Sequence, residues 1–184
     1  VTALDISASA IRAAVAAGAT LINDVSADLA PVAGDLGVGW VAMHMQGTPA
    51  TMQTDPQYRD VAGDIMEFLK ERIEACHAAG IPPGRLLVDP GFGFGKNDRQ
   101  NLELLHNLRQ LSDLGPPVLV GLSRKRLLGS LTGRSAEQRV FAGIAAAVMA
   151  VERGARIVRT HDVAETIDAL RVAQAVMEAG QANG

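Results

Sequence analysis

Short runs of β-branched and aliphatic residues, each closing on a polar side chain, alternate along this chain with longer stretches whose apolar positions recur every three or four residues. The short runs predict strands over residues 1–5, 20–24, 39–44, 85–89, 117–121 and 156–160. The longer ones predict helices over 7–17, 27–36, 58–79, 98–114, 136–153 and 163–179. Gly18, Gly37, Gly80, Gly115 and Gly154 each stand between a helix and the next strand, where a left-handed residue stops the helix. Strict alternation implies parallel strands joined by right-handed crossovers, hence an α/β sheet covered by helices.

Ligands of such sheets bind beyond the carboxyl ends of the strands, so the polar residues there should converge. In chain order they are Asp5, Asn23 with Asp24, His44, Asp89, Ser123-Arg124-Lys125, and Arg159 with His161. The early ones are acidic or amide, the late ones basic. A matching ligand presents N–H donors at one end and an anion, most simply phosphate or pyrophosphate, at the other.

Leu86 to Lys96 is the most informative stretch: an apolar strand ends on Asp89 and opens into a loop with Gly91, Gly93 and Gly95 at alternate positions. Those glycines let the backbone approach a ligand closely, Phe92 and Phe94 offer flat apolar faces, and Lys96 a charge. Asn23 can donate and accept at once, which suits a heterocycle edge, while Asp24 is equally readable as a helix cap. Met43 reads as packing against the core or a flat ring. His44 opens a loop running to Pro56 and has no accompanying metal-ligand set. Arg124, Lys125 and Arg126 would lie on a solvated surface in most settings, but here they follow an apolar strand directly and can face the crevice. They do not form a phosphate-binding P-loop, whose spacing is absent. Arg159 and His161 suit an anion, with Asp162 available to cap the last helix. Trp40, Val41, Phe68, Phe141 and Met149 read as core, and His77 and His106 receive no role.

Composition narrows the setting. The 184 residues can bury one sizeable core, and no composition shift marks a linker, so one domain over 1–184 is expected. A formal charge of -3 gives no broad attraction to nucleic acid or anionic membranes. Cys76 is the only cysteine, which excludes an internal disulfide, and no apolar run is long enough to span a bilayer. A cytoplasmic protein is the expectation. The chain opens on Val1 already inside a predicted strand, so the true amino terminus is expected upstream.

Asn23-Asp24, Met43-His44-Met45-Gln46-Gly47, Asp89 through Lys96, Ser123-Arg124-Lys125 and Arg159-Thr160-His161-Asp162, in this order and spacing, resemble the dihydropteroate synthases of bacterial folate synthesis across essentially the whole chain. The resemblance implies a (β/α)8 barrel of TIM type, here incomplete with about six parallel strands. It implies condensation of 6-hydroxymethyl-7,8-dihydropterin pyrophosphate with p-aminobenzoate, which sulfonamides mimic, releasing magnesium-bound pyrophosphate. Asp5, Asn23, Asp89 and Lys125 would hold the pterin edge, and Met43, Phe94 and Gly121 would line its pocket. Arg159 and His161 would bind pyrophosphate, while Phe94, Lys125 and the backbone around Arg126 would flank p-aminobenzoate. Lys125, Asp89, Arg159 and His161 would carry catalysis. No metal ligand is assigned within the chain, because the family's magnesium-binding Asn belongs to two β/α units that this sequence does not show. The partners implied are small molecules, with a homodimer through the last two helices allowed. A six-strand sheet with two open edges predicts aggregation, dimerisation or a changed architecture. The family's Val-Asp-Thr stands here as Leu4-Asp5-Ile6, removing a hydroxyl beside the pocket. Two other readings compete: a truncated non-catalytic pterin-binding paralogue or interaction module, and a pterin-dependent corrinoid methyltransferase, which needs no anion site.

Overall fold

A computed structural model describes residues 2–5 and 7–181, with the side chains of 2–5 and 181 outside the description. Six strands, β1 (Thr2–Asp5), β2 (Leu21–Asp24), β3 (Gly39–Met43), β4 (Leu86–Asp89), β5 (Val118–Val120) and β6 (Ala155–Val158), form one sheet. They pair in parallel and in chain order. Sequential order with right-handed crossovers sets every helix on the same face of the sheet, which is how a (β/α) barrel winds, rather than a doubly wound sheet. The molecule is thus barrel-type with six strands, β1 and β6 being the two edges among the described residues.

Seven α-helices cover the outer face: α1 (Ala8–Ala16), α2 (Ala30–Leu36), α3 (Val61–Ala78), α4 (Asp98–His106), α5 (Arg126–Thr132), α6 (Val140–Glu152) and α7 (Val163–Gln181). Local chemistry sets their ends. Asp60 accepts from the Ala62 N–H at the start of α3, and Asn97 and Gln100 form a reciprocal capping box on α4. All five glycines expected to end helices take positive φ. Helices expected over 98–114 and 136–153 each divide into an α-helix and a 3-10 segment, Leu108–Leu114 and Ala136–Gln138. α5 is a separate element outside the helical ranges that the periodicity predicts.

Strand residues alternate between two environments. Ile22, Trp40, Ala42, Leu86, Val88, Val118 and Val120 face the helices and form two apolar cores, one under α1 to α3 and one under α3 to α6. Val41, Met43, Leu119 and Asp89 are equally buried on the other, barrel-interior side. No helix among the described residues is long and apolar enough to cross a membrane.

Candidate active site

The carboxyl ends of β2, β4 and β6 meet over the barrel interior. Asp89, 1% exposed, accepts from the Gly91 N–H at 2.8 Å through Oδ1 and from Arg159 Nη2 at 3.0 Å through Oδ2. The other terminal nitrogen of Arg159 donates to Asn23 Oδ1. Burial pushes the Asp89 carboxyl above its ordinary value, and Arg159 and the Gly91 N–H offset this only in part. Asn23 Nδ2 is buried and has no hydrogen-bond partner among the described residues, an unmet donor beside a carboxylate.

Arg159 carries this cluster to a cavity of about 330 Å³, which it lines with Val25, Met43, Phe94, Gly121, Ser123, Lys125, Thr160 and His161. Lys125 Nζ stands 4.1 Å from the centre of the Phe94 ring, a cation over an aromatic face. Burial lowers the Lys125 pKa, with Asp89 raising it and Arg159 lowering it further. At the basic end, Ser123 Oγ lies 3.0 Å from His161 Nδ1 and accepts from the His161 backbone N–H at 3.2 Å. Arg159 thus joins the buried amide and carboxylate to a rim that carries Lys125, Ser123 and His161.

The structure thus brings Asn23, Met43, Asp89, Phe94, Gly121, Lys125, Arg159 and His161 to one place. Asp5 ends β1 in register with Asp24; its side chain, like all of Ile6 and Val1, lies outside the described residues. The Arg126 side chain turns away to Asp98, 3.2 Å off, and lines a neighbouring recess of about 190 Å³ with Gln53, Gly93 and Lys125. Arg124 pairs at 2.8 Å with Asp162, so the three consecutive cations diverge and Lys125 alone of them lines the main cavity.

At the site one open alternative is decided and two sequence readings need correction. Asp24 does not serve the cavity: its oxygens take the Ser26 N–H and Oγ–H, the Leu29 N–H and the Trp40 indole N–H, joining β2, β3 and the approach to α2. Phe92, 2% exposed, packs in the helix-side core rather than facing a ligand. Lys96 offers no charge to a ligand, being 0% exposed and donating to Gly91 O at 3.0 Å and Phe94 O at 2.9 Å, with His44 Nδ1 at 3.0 Å. Burial lowers Lys96 to a pKa of about 7 and, with the Lys96 charge, His44 to about 3.

A supporting layer went unread in the sequence. Tyr58 Oη donates to Gly95 O at 2.7 Å, Gln53 Nε2 to Gly93 O at 2.8 Å, and Gln46 and Gln57 exchange two bonds of 2.7 and 2.8 Å. The long loop after β3 is thereby fastened over the glycine turn. Scattered Gln and Tyr residues in a polar loop carry no local signal for such pairing. Arg139, before α6, reaches back to the carbonyls of Arg124 at 3.0 Å and Lys125 at 3.3 Å, setting the turn that presents Lys125.

Comparison with known proteins agrees with this arrangement. The family model described as pterin binding enzyme matches residues 5–161. Dihydropteroate synthase of Haemophilus influenzae is 43% identical over 173 residues, 92% of this chain and 63% of the relative. The chain spans about three fifths of the length of the curated relatives it matches first, at 63%, 59% and 61%. The crystal structure of dihydropteroate synthase from Stenotrophomonas maltophilia with active site-bound imidazole aligns with a TM-score of 0.92 and 48% identity, covering 96% of this chain and 68% of that one. The Xanthomonas albilineans enzyme in complex with 7,8-dihydropteroate aligns at 0.87 and 50%, covering 96% and 66%. A match that runs from Asp5 through His161 takes in every strand end that builds the cavity, and on that ground the chain belongs to the pterin-binding enzyme family.

Proposed function

We propose that the protein containing this chain is a dihydropteroate synthase, joining p-aminobenzoate to 6-hydroxymethyl-7,8-dihydropterin pyrophosphate with release of pyrophosphate. The observation that supports the reading is one cavity lined by Lys125, Arg159 and His161, with Asp89 and Asn23 buried against it and bonded to the Arg159 guanidinium. Asp89 accepts from the 2-amino and ring N–H groups of the pterin, the free Asn23 Nδ2 meets a ring acceptor, and Lys125 donates to the ring from above Phe94. Asp5 completes that edge. Met43 and Gly121 hold the flat ring, while Phe94, Lys125 and the start of α5 at Arg126 flank the aminobenzoate.

In the reaction the bond from the pterin methylene to the pyrophosphate oxygen breaks, its electron pair leaving with pyrophosphate. The aminobenzoate nitrogen forms the new bond and loses a proton to solvent. Arg159 and His161, with Ser123 on the His161 ring, stabilise the departing charge, which is where fixed cations accelerate such a step most. Magnesium accompanies pyrophosphate in the family this chain resembles. Among the described residues no three His, Cys, Asp or Glu side chains cluster to hold a metal. The rim beside the anion end is cationic, so the residues present do not fit the ion and no step is assigned through it.

Replacing Asp89 by Ala tests the reading. Loss of the acceptor leaves buried donors unmet at about 1–3 kcal/mol each, so calorimetry should show pterin affinity falling about tenfold or more. Unchanged affinity would refute the assignment. Binding of the pterin pyrophosphate without release of pyrophosphate on adding p-aminobenzoate would favour a non-catalytic paralogue.

A further inference from the structure

Arg159 sits where the pterin of the proposed reaction should be. Its guanidinium spans Asp89 Oδ2, at 3.0 Å, and Asn23 Oδ1, the buried carboxylate and amide acceptors. It also lies on the cavity floor: a Cβ placed on Gly121 would come within 2.8 Å of Nη2, 3.2 Å of Nε and 3.3 Å of Cζ. A guanidinium and the edge of a 2-amino-4-oxopteridine are alike to these acceptors, since both are planar and present adjacent N–H donors on a common carbon. One pair of acceptors cannot serve both.

The Arg159 backbone is fixed, its N–H donating to Val120 O at 2.8 Å, while the side chain is 41% exposed. Ser123, Arg159 and His161 line the same cavity, so an anion held by His161 and Ser123 shares its space with the guanidinium. We propose that Arg159 determines specificity by occupancy, holding Asp89 and Asn23 until the phosphate end of the substrate draws it away. The inference rests on the pterin pyrophosphate reading of this cavity. A pterin without phosphate has to displace the guanidinium unaided, whereas a pyrophosphate-bearing one moves it with its own far end. Once pyrophosphate departs, Arg159 returns to Asp89 and expels the pterin end of the product. Binding linkage makes the effect reciprocal: pyrophosphate tightens pterin, and pterin tightens pyrophosphate.

The test is calorimetric titration of the protein with 6-hydroxymethylpterin, with and without saturating inorganic pyrophosphate, in the native form and as Arg159→Ala, Arg159→Lys and Asp89→Ala. The native protein should bind the pterin about fivefold or more tightly when pyrophosphate is present, the lower end of usual coupling. Arg159→Ala should bind it at least as tightly as the native protein without pyrophosphate, and show no coupling. Arg159→Lys, which keeps the charge but cannot bridge Asp89 and Asn23, should retain pyrophosphate binding with reduced coupling. Native protein that binds the pterin through Asp89 yet shows no coupling would sink this inference and leave the function standing, as would coupling preserved in Arg159→Ala. No pterin binding under any condition, with Asp89→Ala indistinguishable, would overturn the functional reading and the inference together.

Discussion

Two lysines share the candidate site's neighbourhood and their fates differ for reasons no local pattern carries. Lys125 leans over Phe94 into the cavity, whereas the ammonium of Lys96 is taken up by carbonyls of its own loop and by His44. The sequence made Asp89, Asn23 and Arg159 legible because each ends a strand, and strand ends have one destination in this fold. It left Lys96 misread and Asp24 undecided because their partners, Gly91 O, Phe94 O and His44 for the one and the Ser26 and Leu29 N–H groups and Trp40 for the other, are brought together only by the fold. The His44 imidazole, held down to about 3 by burial and by Lys96, makes a prediction at this scale. Between that value and the ordinary ~6.5, the unfolded chain binds a proton that the folded chain refuses, so stability falls as pH drops through the window. Asp89, raised by burial, acts with the opposite sign, since there the folded state takes the proton first. Substituting His44 by Gln removes only the first contribution. The urea midpoint of the native protein should therefore decline more steeply than that of His44→Gln from about pH 6 to about pH 4, by at most about 1.4 kcal/mol per pH unit. Parallel curves would show that His44 takes up its proton alike in the folded and unfolded chain.

Among the elements, the turn from β4 to α4 is the most constrained. Gly91 has a φ of 67°, and a Cβ there would stand 1.9 Å from the His44 carbonyl oxygen, a backbone atom of the neighbouring strand's exit. Gly133, at the end of α5, has a nearly equal φ of 69° with nothing within 4 Å. Replacing each by Ala separates conformation from crowding. Gly133→Ala should cost about 1–2 kcal/mol, the left-handed penalty alone. Gly91→Ala should cost about 3 kcal/mol or more and abolish pterin binding, because the β3 and β4 exits must part. Equal denaturation midpoints for the two variants would show that the close approach at Gly91 adds no cost. The glycine punctuation that placed these turns was readable because positive φ is a property of the residue itself. The division of 98–114 into α4 and a 3-10 segment was not, since apolar spacing hardly distinguishes the two helix types over one turn.

For the whole molecule, strand number and parallel pairing were implicit in the alternation of patterns, and the resemblance supplied the barrel and with it the strand order. Which surfaces would stay apolar was not readable, because a helix's pattern says that a face is buried without saying by what. α7 shows this directly. Val163 and Ile167, 54% and 44% exposed, lie on one side, while Val172 and Val176, 66% and 67% exposed, lie on roughly the opposite side. Phe141 and Met149 on α6, read as core from the sequence, are 84% and 42% exposed, and Ile157 on edge strand β6 is 36% exposed. A helix apolar on two sides beyond its contact with α6 calls for further neighbours, whether more β/α units or a second copy. We propose that the 184-residue chain expressed by itself self-associates through these surfaces. Sedimentation velocity should show species larger than a monomer, shifting toward the monomer in Val172→Glu with Val176→Glu. A monomeric native chain would contradict this.

The bare floor at Gly121 also bears on how the pocket can change under selection. A small molecule resting there meets the peptide atoms of Gly121 itself, which no exchange of side chain removes. The substitutions open to that position all add bulk, and the first atom added would press on the guanidinium of Arg159. An inhibitor anchored on that floor would therefore meet escape variants in which Arg159 is itself crowded off Asp89 and Asn23.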